Sequence, residues 1–532
     1  MSDEQSAPLL RDQPATPHRR SGRSNRVAAR KAIKTSMAVK PGLQGGHYRV
    51  LSDRDMQRIH EAVLEVLSTI GMAEATPEVQ AMALANGCRE DADGRLLFPR
   101  ALVDDTLASA GRSFTMYSRD GQHDLHIGGG KVHFATSGEA ISILDPETRT
   151  YRPSLLLDIY DGARLCDRLE HIHQFGQTCV ATDMTDDPLA RDCSIAYALA
   201  TATSKTTGMS ISGAGNLKTV IQLYDMILGG EGRFVQKPFC SIGGCCPVVS
   251  PLRFAQESLE TLVETVRLGL IGDIAIAGQA GATAPVTLAG ALVQSLAETI
   301  ACLCIVNMVR RGAPMMFGAW PFVSDLRTGS FTGGSGEQGL LMAAVAQMGN
   351  FYDLPSSVAA GMSDSKLPDN QAGFEKGIST AVVALAGGNF VSEAAGMQAS
   401  LLGVSYEALV IDNDMLGVVQ RTLRGIEVND ETLAVETMRE VVKGPGHFLG
   451  HAETLAKMES EYLYPALADR QTPHVWHQAG AKDMHEAARE RVREILSTHY
   501  PQLIDPALDA ELRSRFPIRL KPEDMCAGNG RW

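Results

Sequence analysis

Polar and apolar positions divide the chain into regimes. From Met1 to Gly46 large apolar residues are almost missing, while Arg19, Arg20, Arg23, Arg26, Arg30, Lys31 and Lys34 crowd the stretch. Such a segment buries too little surface to offset its ordering entropy, so residues 1–46 are expected to be a disordered basic tail. Helical spacing begins after His47. Ser52 with Asp55 three residues later has the form of a capping box, and Met56, Ile59, Val63, Val66, Leu67 and Ile70 follow on one face, with Gly71 as a stop. Further helices are predicted over Pro77 to Asn86 and Arg100 to Ala110. Ser113 to Asp145 alternates in short runs between turn signals at Asp120-Gly121 and Gly128-Gly129-Gly130, which predicts a small β-meander.

From about Ser154 the rhythm changes. Short runs of β-branched and small residues alternate with helical stretches. The predicted strands are His171–Gly176, Thr207–Ser212, Phe239–Gly243, Ile274–Gly278, Pro314–Gly318, Ser357–Gly361 and Phe390–Ala394. Predicted helices between them include Leu252–Leu268, Leu288–Arg310, Gly339–Phe351 and Gln371–Ala386. Parallel strands need crossovers of this kind, so the fold class is α/β, and eight such units would close a (β/α)8 TIM barrel. Val410–Asp412 and Ala140–Leu144 both compete for the missing strand. The expected layout is 47–153 for N-terminal helices and meander, 154–470 for the barrel, and 471–532 for a C-terminal helical extension. Met484, Ala488, Val492, Ile495 and Leu496 form an apolar stripe there; a cover for the barrel and a contact with a second copy both explain it.

Composition narrows the function. The 532 residues are 44% hydrophobic and 21% charged, which excludes disorder throughout. A net charge of -13 argues against a general nucleic-acid binder. Ten cysteines without a C-x-x-C pair suit a reducing cytoplasm, and the polar start lacks the apolar stretch of an export signal. The most apolar run, Val286 to Val309, is interrupted by Gln294, Ser295, Glu298, Thr299 and Asn307, so a buried helix is expected and no membrane span.

Barrel chemistry sits where strands end. His171-Ile172-His173 has the H-x-H form of metallohydrolase barrels, but the next histidine along the chain from the later strand ends is His447, so no metal site is expected. Cys240, Cys245 and Cys246 cluster after a strand without histidines at ligand spacing, and read as small buried hydrophobes. Gly278-Gln279-Ala280-Gly281-Ala282 lacks a phosphate-binding pattern. Phe317, Trp320, Phe322 and Phe331 gather near Asp325, Glu337 and Asp364 in a chain that is only 5% aromatic. Aromatic faces with a few carboxylates suit a quaternary ammonium group, which has no N–H to donate.

Gly361-Met362-Ser363-Asp364-Ser365-Lys366-Leu367-Pro368-Asp369-Asn370-Gln371-Ala372-Gly373-Phe374-Glu375 resembles the hallmark loop of the trimethylamine methyltransferase family. Tyr48-Arg49-Val50-Leu51-Ser52 and Gly444-Pro445-Gly446-His447-Phe448-Leu449-Gly450-His451 are similar to two further blocks of that family. The resemblance runs from about His47 to Pro501. It implies a TIM barrel and methyl transfer from a methylated amine to the cobalt of a separate corrinoid protein. Trimethylamine-specific members carry pyrrolysine in this loop, at or beside the position of Asn370, which here is an ordinary asparagine. The resemblance therefore points to the branch that demethylates quaternary amines such as glycine betaine.

On that basis Trp320, Phe317 and Phe331 are expected to contact the ammonium methyls, with Asp364 or Glu337 balancing the charge. Lys366, Arg327 or His173 would pair with a substrate carboxylate, Gln371 would contact substrate, and Glu393 at the end of the seventh predicted strand would reach the barrel floor. The expectation requires Trp320, Phe331 and Asp364 to open on one shared cavity. No D-x-H-x-x-G motif occurs (Asp167 is followed by Leu169 where histidine is needed), so the corrinoid is expected on a partner. The alternatives are a trimethylamine methyltransferase, a metal-dependent hydrolase using His171 and His173, and a betaine binder without turnover.

Overall fold

The protein is described here by a computed structural model covering residues 38–243 and 246–532. The basic tail, apart from its last residues, and Cys245 lie outside the described residues. The chain divides into two compact units. In one, the described residues are 38–39 and 426–464, with helices Val435–Lys443 and Ala452–Glu461. The block Gly444–His451 forms the turn between those helices. The other unit, Lys40–Gly425 with Pro465–Trp532, contains everything that follows.

The unit opens with a short strand, Leu43–Gln44, antiparallel to residues 131–132, which corrects the expectation of disorder for the end of the tail. Helix Asp53–Thr69 follows, where Ser52 and Asp55 make the expected reciprocal cap and Met56, Ile59, Val63 and Leu67 are buried. Gly71 ends it at φ +62°, and a Cβ there would stand 2.1 Å from the Leu96 carbonyl oxygen, so only glycine fits. Helices Pro77–Ala85 and Arg100–Ser109 follow, then an antiparallel hairpin of Ser113–Met116 with Leu125–Gly128.

Eight strand–helix pairs then succeed one another among the described residues. The strands are β1 Lys131–Phe134, β2 Gln174–Gly176, β3 Thr206–Met209, β4 Cys240–Ile242, β5 Gly272–Asp273, β6 Met315–Met316, β7 Ser357–Ala359 and β8 Phe390–Ser392. Each precedes its helix: α1 Leu156–Asp167, α2 Pro188–Ala202, α3 Ala214–Ile227, α4 Gln256–Arg267, α5 Leu288–Val309, α6 Gly336–Tyr352, α7 Asn370–Ala386 and α8 Tyr406–Arg424. Parallel pairing joins β8 to β1 and to β7, β2 to β3, β3 to β4, and β5 to β6. Single parallel bridges, Ala135 with Gln174 and Phe317 with Ser356, connect β1 to β2 and β6 to β7. Among the described residues no backbone pairing joins β4 to β5; the Ser241 hydroxyl bonds the Asp273 carboxyl across that gap.

Both candidates for the unplaced strand are corrected. Val410–Asp412 lies inside α8, whose start is fixed by the Ser405 side chain on the Ala408 amide, and its residues follow helical spacing. Ala140–Leu144 contributes Ser142–Leu144 to a separate sheet with Tyr151–Pro153, Gly403–Val404 and Met397–Gln398. The missing strand is Lys131–Phe134, ahead of the expected barrel start at residue 154. Its apolar Val132 and Phe134 follow directly on the hairpin, which hid it within the meander. β5 falls two residues before the predicted Ile274.

The long helix α5 is the one described helix long and apolar enough to cross a membrane, and 78% of its most apolar window is buried inside the protein. Glu298 at its middle accepts bonds from the Ser250 hydroxyl (2.8 Å) and the Leu252 amide (2.7 Å), as a buried carboxylate requires. The C-terminal stripe of helix Met484–Thr498 packs on α8 and α1. Fully buried Arg164 of α1 fastens that helix end through the carbonyls of Leu496 and His499.

Candidate active site

A cavity of about 280 Å³ occupies the C-terminal ends of the strands. Three carboxyl groups line it, each beside a serine hydroxyl. Ser210, just past β3, donates to Glu139. Ser241 of β4 pairs with Asp273 of β5. Ser137 pairs with Glu393, just past β8. Glu393 is 1% exposed, and its Oε2 has no hydrogen-bond partner. Burial, and then the charge of Glu139, push its carboxyl up to about 8. Burial also raises Glu139 and Asp273.

The backbone is bent to present these groups. Glu139 and Glu393 sit at φ +46° and +63°, a left-handed conformation that is costly for a residue with a Cβ. Gly138 lets them approach: a Cβ there would stand 2.6 Å from Glu393 Oε2 and 2.4 Å from the Met397 sulfur. The β8 exit is held from below by a buried ion pair, in which Lys376 donates to Asp412 at 2.6 Å and the same oxygen accepts the Gly396 amide at 2.8 Å.

Trp320, Phe322 and Phe390 also line the cavity. The Trp320 indole N–H is anchored on the Ser357 carbonyl at 3.2 Å, which fixes the ring. Among the described residues no Lys, Arg or His lines the cavity. Three carboxyls and three aromatic rings give the cavity a lining whose charge and faces are complementary to a small organic cation.

The other expected residues lie elsewhere. Phe317 turns into the core against Tyr352, with ring centroids 6.0 Å apart. Phe331, Glu337, Asp364 and Lys366 surround a neighbouring groove of about 830 Å³. The expected single cavity for Trp320, Phe331 and Asp364 is thereby corrected; only a chain of rings, Trp320–Phe322 at 6.1 Å and Phe322–Phe331 at 4.8 Å, links the two spaces. Asp364 accepts from Thr332, from the Gly333 amide (2.8 Å) and from Ser400 (2.7 Å), so it ties three loops together. Glu337 is exposed in the first turn of α6. Lys366 donates to the Asp364 carbonyl at 2.7 Å, and Arg327 grips Asp325 with two nitrogens. Asn370 is exposed at the start of α7, and Gln371 donates to Glu375 at 2.8 Å.

His173 is buried at the opening of β2, away from the cavity, and its Nδ1 accepts the Phe134 amide at 3.1 Å. No group of three potential metal ligands that would include His171 and His173 occurs among the described residues. Sequence reasoning missed Ser137, Glu139, Ser210, Ser241 and Asp273. The available signal was an acidic residue directly after a short apolar run, as at Ile271-Gly272-Asp273.

The sequence model of the trimethylamine methyltransferase (MTTB) family matches residues 19–523. The chain belongs to that family of enzymes. It is 31% identical over 464 residues to a trimethylamine methyltransferase of Desulfitobacterium hafniense, covering 87% of this chain and 92% of that protein. It is 28% identical over 479 residues to a glycine betaine methyltransferase of another strain of that species, covering 89% and 98%. A dihydropteroate synthase structure from Coxiella burnetii in complex with pteroic acid aligns with a TM-score of 0.35 at 10% identity, over 58% of this chain and 99% of that one.

Proposed function

We propose that this protein moves a methyl group from a permanently charged methylated amine to the cobalt of a corrinoid carried by a separate protein, acting in the cytoplasm from a closed (β/α)8 barrel. Glycine betaine is the example of such an amine that a relative's name supplies. The observation that carries the reading is the cavity at the strand ends, whose lining combines the carboxyls of Glu139, Asp273 and Glu393 with the rings of Trp320, Phe322 and Phe390. At about 280 Å³ it lies at the lower end of the roughly 300–1,000 Å³ typical of small-molecule pockets, so it suits a compact cation and leaves no room for a macrocycle beside it. A corrin ring would therefore have to remain outside the cavity, on its partner.

The corrinoid supplies the nucleophile that receives the methyl group. The chain's own part is to bind, orient and desolvate the cation. Aromatic faces contact the N-methyl groups, and the carboxyls offset the charge. When the N–CH3 bond breaks, its electron pair stays on nitrogen and a neutral tertiary amine leaves, so no side chain must deliver a proton at that moment. The carboxyls hold the charged substrate more tightly than the neutral product, which favours product release. They stabilise the bound substrate at least as much as the transition state, so they lower KM, and acceleration comes from orientation.

The test is a panel of quaternary amines with Co(I) cobalamin, followed by the absorbance change on methylation. Methylation dependent on both amine and protein is expected. A protein that binds the amines and never methylates cobalt would refute transfer.

A further inference from the structure

We infer that the central cavity selects a methylated amine whose ammonium is its only charge, and disfavours zwitterions that carry a carboxylate a few bonds from the nitrogen. The inference rests on the proposed use of this cavity for a methylated amine and narrows its substrate class.

A carboxylate entering here would need a cation or free donors, and among the described residues no cationic side chain lines the walls. The three basic residues proposed from sequence to meet it lie outside this cavity: Lys366 donates to the Asp364 carbonyl, Arg327 to Asp325, and His173, at the other end of β2, accepts the Phe134 amide. Side-chain donors on the wall are also engaged. Thr136 donates to the Gly176 carbonyl (2.7 Å), Gln174 to the Thr207 carbonyl (3.1 Å) and Gln177 to the Cys179 carbonyl (3.0 Å). The serines at 137, 210 and 241 face the three carboxyls.

What the wall does leave open is acceptors. Its two buried polar atoms without a partner, Gln177 Oε1 and Glu393 Oε2, are both oxygens. Buried oxygens left bare in the cavity wall are satisfied by the positively polarised N–CH3 groups of an ammonium ion. Protonated, any of the three carboxyls could donate to a carboxylate, but it would bring that charge beside the other two.

The test uses the full-length protein with tetramethylammonium, choline and glycine betaine, measuring binding by calorimetry and methylation of Co(I) cobalamin by absorbance. Tetramethylammonium and choline are expected to bind at least tenfold more tightly than glycine betaine. Glycine betaine binding as tightly as choline overturns the charge selection, even with methyl transfer intact. Choline preferred without any cobalt methylation upholds the selection and overturns the transfer reading instead. A Glu393→Gln variant of unchanged circular dichroism should lose at least tenfold in choline affinity above about pH 8, where the wild-type carboxyl is ionised, and little or none in glycine betaine affinity; equal losses would also overturn it.

Discussion

Replacing Glu393 by Gln removes a carboxyl that the fold holds at about 8 against an ordinary 4.5, because burial and the charge of Glu139 both oppose its ionisation. The native protein therefore binds this proton more tightly than the unfolded chain does. Its stabilising effect is complete below about 4.5, declines as pH rises, and is gone once pH has passed about 8. The decline is at most about 1.4 kcal/mol per pH unit, and the whole span is worth about 5 kcal/mol. Glutamine has no proton to lose. The variant should thus gain on the wild type steadily between about pH 5 and 8, then hold a constant difference. Loss of Glu393 also lets Glu139 ionise more easily, which acts in the same direction. Urea unfolding of both proteins across this range, with stability taken from midpoint and slope, measures the difference directly. Parallel curves for the two proteins would refute the burial and coupling ascribed to this pair.

The same site predicts that affinity for a quaternary amine rises with pH up to about 8, by no more than about tenfold per pH unit, and then levels off; calorimetry in buffers of different ionisation enthalpy should detect proton release below that point. Trp320→Leu keeps an apolar side chain and removes the ring face, so tetramethylammonium should bind about thirtyfold more weakly, equivalent to about 2 kcal/mol, whereas Trp320→Phe retains most of the affinity. Lys376→Met strands the buried Asp412 carboxylate and should cost about 3–5 kcal/mol in thermal or urea unfolding, and pairing it with Asp412→Leu should restore much of that.

Much of the architecture was legible because alternation of short β-branched runs with helical stretches is a local signal. Seven of the eight strands lay at or within two residues of the predicted runs. Lys131–Phe134 escaped because it pairs with Phe390–Ser392, more than 250 residues away, and its own surroundings read as a hairpin. Val410–Asp412 misled for the opposite reason: a short apolar run looks alike in a strand and in a buried helix. Within the site, Trp320 and Glu393 were legible as an aromatic and an acid at strand exits. The pairs of Ser210 with Glu139 and of Ser241 with Asp273 were not, since each joins residues that follow or lie on different strands and meet only in the folded chain. The loop from Gly361 to Glu375 shows a different limit. Asp364 and Glu375 there accept bonds from Thr332, Gly333, Ser363 and Ser400, so a loop that carries the family resemblance does its visible work as a scaffold.

The most direct measurement is a crystal structure of the protein with tetramethylammonium. The account predicts the cation in the central cavity, within about 6 Å of the Trp320 ring centroid and beside Glu139 and Glu393. Tetramethylammonium seated in the groove of Phe331 and Asp364, with the central cavity empty, would contradict it.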